Sequence, residues 1–71
     1  MNVAEMRSGE TRTIRSIDDE QLMLKLLEMG CIPGKDITFK YKAPLGDPVC
    51  VTVSGYDLSL RISEASSISV Q

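Results

Sequence analysis

Few side chains in this 71-residue sequence could do chemistry. There is no histidine, which removes the commonest general base and the commonest metal ligand together, so hydrolytic triads are excluded. Cys31 and Cys50 stand far apart with no second thiol near either. Neither belongs to a Cys-x-x-Cys pair, and two thiolates alone do not complete a tetrahedral site. They read as buried free thiols, because Cys is among the most buried residue types. The sharper alternative is a weak site for a soft metal, with a carboxylate or a second molecule adding ligands. Met6, Met23 and Met29 fit core packing better than metal capture.

The carboxylates are spread along the chain, mostly beside basic or turn residues. None lies in an apolar run where burial would raise its pKa for acid–base work. Glu64, next to Arg61, is expected to make a structural ion pair or a cap. Gly30, Gly34, Gly46 and Gly55 stand singly at turns, so no phosphate-cradling loop can be built, and the acidic run Asp18-Asp19-Glu20 would repel phosphate. No catalytic residue, cofactor site or metal site is expected, and the work of the chain is to bind something.

Composition narrows what that something is. A domain of this size buries only about 60% of its unfolded surface, so the core must be compact and a spare cofactor cavity is not expected. The formal net charge is −2 and the aromatics are Phe39, Tyr41 and Tyr56 alone, the opposite of a basic, stacking surface for nucleic acid. Within the helical stretch the longest apolar run, Leu22-Met23-Leu24, falls far short of the roughly 20 residues of a membrane span, so no direct membrane insertion is expected. Met1-Asn2-Val3-Ala4-Glu5 has no basic region followed by an apolar one and does not read as a signal peptide, which makes the cytoplasm the expected location.

The elements that must position these residues follow from periodicity and turn chemistry. Val3, Met6 and Gly9 bracket a short opening segment with room for one helical turn. Thr11 to Ile17 is rich in Thr and Ile, but Ile14 and Ile17 lie on opposite parities, which predicts a strand with a bulge or one ending near Arg15. The one convincing helix opens at Asp18 or Asp19, with Gln21 placed to close a capping box, and runs to about Met29. Leu22, Met23, Leu26 and Leu27 build its apolar stripe, and Gly30 ends it.

Pro33-Gly34 suits the centre of a type II turn leading into Asp36 to Lys42, where Ile37, Phe39 and Tyr41 alternate with Thr38, Lys40 and Lys42. Val49, Val51 and Val53 form the next apolar row. After the two-residue turn Ser54-Gly55, Tyr56, Leu58, Leu60 and Ile62 alternate with Asp57, Ser59 and Arg61. A single 3₁₀ turn is expected at Ser63-Glu64-Ala65, then a short strand carrying Ile68 and Val70. Five short strands and one short α-helix in so few residues predict a mainly β fold, a small, partly open SH3-like barrel forming a single domain over residues 1–71.

The loop Ala43-Pro44-Leu45-Gly46-Asp47-Pro48 holds the central hairpin in register. Pro44 presets φ for a type I or II turn, Gly46 supplies φ > 0, and Pro48 starts the return strand. In a loop this short the side chain of Leu45 is expected to point outward, away from the core of Ile37, Phe39, Val49, Val51, Leu58 and Leu60. The alternative is that Leu45 folds back as a plug over one barrel end. Leu45, with Pro44 and Asp47, is the expected partner-binding tip, since a preorganised apolar group loses little entropy on docking.

Three stretches carry a family resemblance. Leu26-Leu27-Glu28-Met29-Gly30-Cys31-Ile32-Pro33-Gly34, then Ala43-Pro44-Leu45-Gly46-Asp47-Pro48, then Gly55-Tyr56-Asp57-Leu58-Ser59-Leu60-Arg61-Ile62-Ser63-Glu64-Ala65 closely resemble the ferrous iron transport protein A (FeoA) family over nearly the whole chain. The resemblance implies an SH3-like barrel and a cytoplasmic, non-enzymatic accessory of bacterial ferrous iron uptake. Its implied partner is the FeoB-type membrane permease with its GTP-binding domain. It also implies kinship with the SH3-like domain of iron-dependent repressors, so the competing expectation is a detached metal-responsive regulatory domain. Cys31 stands where the family commonly has an aliphatic residue, which favours a buried, hydrophobe-like thiol. Arg61 is not read as an arginine finger, because strand arginines pair or snorkel. Self-association as a homo-oligomer stays open.

Overall fold

The computed structural model describes residues 1–71. A 3₁₀ turn at Val3–Glu5 leads into strand β1 (Thr11–Ile17), helix α1 (Glu20–Leu27), strands β2 (Asp36–Lys42), β3 (Val49–Val53) and β4 (Tyr56–Leu60), helix α2 (Ile62–Ala65) and strand β5 (Ile68–Val70). The strands form one antiparallel sheet in the order β4-β3-β2-β1-β5. Because β4 and β5 end that order without pairing, the barrel stays open, as expected for the mainly β fold. Every strand contributes to one cluster of 16 buried side chains, and none of them is polar or charged.

Strand β1 serves two partners, β2 and β5. Thr11 to Thr13 pair with β2, while Ile14 to Ile17 pair with β5, and the register slips between Ile14 and Ser16. That bulge at Arg15 re-aims the chain and lets Ile14 and Ile17, on opposite parities, both reach the core.

A second bulge was not legible. In the β2–β3 pair Phe39 faces Val51 but Tyr41 faces Cys50, so Lys40 is the extra residue and Tyr41 leaves the core face, 57% exposed, against the expected alternation.

The first helix is capped by Asp19, whose Oδ1 accepts from the N–H groups of Gln21 (3.0 Å) and Leu22 (3.1 Å). Gln21 therefore sits too early to close a capping box. The last turn runs on into a Schellman motif. The Cys31 N–H bonds back to Leu26 O (3.0 Å) and the Gly30 N–H to Leu27 O (3.1 Å), with Gly30 at φ +77°.

Only Leu22 and Leu26 of the helix are buried. The expected stripe is too wide: Met23 and Leu27 are exposed, because a two-turn helix packed chiefly on β1 presses just one ridge into the core. Met29 is exposed too, and only Met6 of the three expected core methionines is buried.

Strand β4 stops at Leu60, and Ile62 opens α2 instead of continuing the strand; the expected 3₁₀ turn is a one-turn α-helix. Glu64 is its cap, accepting the Arg61 N–H at 2.9 Å, and its other oxygen lies 3.7 Å from Lys25 Nζ rather than on the Arg61 side chain. Of the expected apolar row on β4 only Leu60 is fully buried; Leu58 is half-buried and Tyr56 is 63% exposed, since this edge strand has no neighbouring strand on its outer side.

Candidate functional site: an exposed loop tip and a groove beside a strand edge

The β2–β3 loop is closed by two backbone hydrogen bonds, Ala43 N–H to Pro48 O (2.9 Å) and Gly46 N–H to Ala43 O (2.7 Å). The second encloses Pro44 and Leu45 as the central pair of a turn, and Gly46 follows at φ +89°. The Asp47–Pro48 peptide is cis. Leu45 stands out of this loop with 96% of its surface exposed, so it does not plug the barrel.

Of the three residues expected at a partner surface, Pro44 and Leu45 are free. Asp47 is exposed, yet its Oδ1 accepts the Ile62 N–H at 3.0 Å, which ties the loop to the start of α2.

At the other end of the β3–β4 hairpin lies a groove of about 420 Å³ lined by Glu28 and Met29 after α1 and by Tyr56, Asp57 and Leu58 of β4. Ser54 (φ +52°) and Gly55 (φ +81°) form the two-residue turn with both residues left-handed. Ser54 Oγ reaches Gly30 O at 3.4 Å, which brings that turn against the end of α1. Both turns are readable in the sequence, but nothing local signals that they meet.

Charge in this region is partly committed. Asp57 accepts from Thr52 Oγ1 at 2.7 Å and lies 3.4 Å from Lys40 Nζ, and these neighbours hold its carboxyl below the usual carboxylate range. Glu28 has no hydrogen-bond or ion-pair partner among the side-chain interactions.

The thiols are free and differ in setting. Cys31 is buried, and that burial pushes its pKa up; Cys50 is half-buried opposite Tyr41, whose phenol the neighbouring thiol pushes up. No three His, Cys, Asp or Glu side chains gather in a geometry that could hold a metal ion. No helix is long and apolar enough to cross a membrane.

The family model described as FeoA domain matches residues 1–71. The chain is similar to a Fe(2+) transport protein A/Fe(2+) transporter FeoB fusion protein of Porphyromonas gingivalis, 36% identical over 72 residues that span 100% of this chain and 8% of the relative. Its fold is similar to the FeoA protein of Chlorobium tepidum, with TM-score 0.94 and 29% identity over 100% of this chain and 69% of that one. It is similar also to the FeoA of Stenotrophomonas maltophilia complexed with zinc, described as an SH3 domain protein, with TM-score 0.87, 28% identity and coverage of 100% and 89%.

Proposed function

Because the chain belongs to the FeoA domain family, which is associated with ferrous iron transport, we propose that it is a small cytoplasmic accessory protein that binds and regulates a FeoB-type, GTP-dependent iron permease. The observation that carries this reading is the fusion relative. A domain similar to this whole chain is covalently joined there to a FeoB transporter. A linker of that kind makes association intramolecular and holds the two parts at high effective concentration. Where the two are not joined, the same proximity has to come from a binding surface.

The apolar tip at Leu45 is the surface to which we assign that contact. It is held by a closed turn and by the Asp47 tether, so little conformational freedom is lost on docking. Regulation by such a module needs no catalytic group. It biases the permease between states only to the extent that it binds one better than the other.

The test is direct association of the purified chain with a detergent-solubilised FeoB-type permease from the same cell, alongside its GTP hydrolysis. Saturable binding with an altered hydrolysis rate is expected. Absence of binding together with an unchanged rate would remove the proposal.

A further inference from the structure

The two edges of the sheet are treated differently. The β5 edge is only three residues long and the N-terminal segment covers it: Asn2 bridges Ser69, and the Val70 N–H bonds to Met1 O at 2.9 Å. The β4 edge has no such cover, carries no Lys or Pro, and pairs with β3 without a bulge, so that Asp57 is the one charged residue that blunts it.

Its free hydrogen-bonding groups can be assigned. In a hairpin closed by a two-residue turn the flanking residues, here Val53 and Tyr56, exchange both their hydrogen bonds, and the pattern then alternates. Tyr56, Leu58 and Leu60 thus bond to β3, while the N–H and C=O groups of Asp57 and Ser59 face outward. No backbone hydrogen bond from beyond the ladder reaches them.

Beside this edge lies the groove between Met29 and the Tyr56 and Leu58 side chains. Its rim carries one uncommitted negative charge. Glu28 is unpartnered at the C-terminal end of α1, where the helix dipole already favours a cation, while Asp57, the other acid of the lining, is paired with Lys40.

We propose that the β4 edge takes an extended segment of a partner protein as a sixth strand. Apolar side chains of the segment, at alternate positions, enter the groove against Met29, Tyr56 and Leu58, and a lysine or arginine meets Glu28. Main-chain bonds to Asp57 and Ser59 supply affinity, and the groove with its acidic rim supplies specificity. This surface lies at the opposite end of the β3–β4 hairpin from Leu45, so the chain can engage both at once.

Selection of a phage-displayed library of random linear peptides on the purified chain tests this, followed by NMR titration of the selected peptides into isotope-labelled protein. The expected winners alternate apolar residues and carry Lys or Arg. They shift the amide signals of Glu28, Met29 and Tyr56 to Ser59, and they protect the Asp57 and Ser59 amides from exchange. Ser59→Pro, which removes an outward N–H and no hydrogen bond of the β3–β4 ladder, and Glu28→Lys should each weaken binding at least tenfold. Enrichment of no peptide, shifts centred on Leu45 or on the outer face of α1, or binding by both variants as tight as by the parent chain would overturn the proposal. Should Ser59→Pro fail to fold, Glu28→Lys, at an exposed position, decides alone.

Discussion

The carboxylate of Asp47 accepts the backbone N–H of Ile62 at 3.0 Å, joining the loop after β2 to the first residue of α2. This one contact satisfies an orphan donor at a helix start and anchors the loop that carries Leu45. Asp47→Ala is therefore expected to lower stability by about 1 kcal/mol, the scale of a lost cap, with Asp47→Asn retaining part of it. Chemical denaturation of the three proteins checks this; an alanine variant as stable as the parent would show that the bond contributes nothing in solution.

Leu45→Asp separates folding from binding. Because the side chain is almost wholly exposed, its replacement should leave circular dichroism and melting unchanged. Association with a FeoB-type permease should weaken by at least about 1.4 kcal/mol, tenfold in affinity. Unchanged affinity would take the loop out of the proposed interface.

Gly46→Val should do the reverse and damage the fold. A Cβ at this position would meet nothing within 4 Å, so the penalty comes from φ +89° alone, which a β-branched residue rarely adopts. The expected cost is about 1–3 kcal/mol, read as a lower denaturation midpoint. A midpoint equal to the parent's would mean that the loop relaxes to an ordinary φ without cost.

Stability should fall at both ends of the pH range. Glu10 accepts the Arg7 N–H at 2.9 Å and pairs with Arg12 at 2.6 Å, and Asp57 is held by Thr52 and Lys40, so both folded pKa values lie below their ordinary 4.5 and 3.8. The unfolded chain then takes up protons first, and the stability these groups contribute above their ordinary values is lost as pH falls through the lowered ones. Burial raises the Cys31 thiol above 9.0, so on the alkaline side the unfolded chain loses its proton first and stability declines as pH rises through that value. Denaturant midpoints across pH check the signs: Glu10→Gln should flatten the acid limb and Cys31→Ala the alkaline one.

The elements of this protein are written locally. Period-two alternation from Asp36 to Phe39 and from Val49 to Val53 put Ile37, Phe39 and the three valines in the core, because a strand's pleat fixes the parity of its side chains. Pro33-Gly34, Pro44 to Gly46 and Ser54-Gly55 announced their turns through residues with preset or positive φ, and the helix is bounded by the side-chain cap of Asp19 and the positive φ of Gly30.

The tertiary structure alone decided which apolar residues are covered. Met23, Leu27, Met29 and Tyr56 match the local pattern of the core and yet face outward, because burial requires a second surface and α1 and β4 each have one side with none. It also decided that Lys40 bulges and turns Tyr41 out, that Asp47 reaches Ile62, and that Glu28 comes to stand beside the free edge of β4. These are meetings between segments distant in the chain, and pattern within a segment carries no information about what the folded chain brings against it.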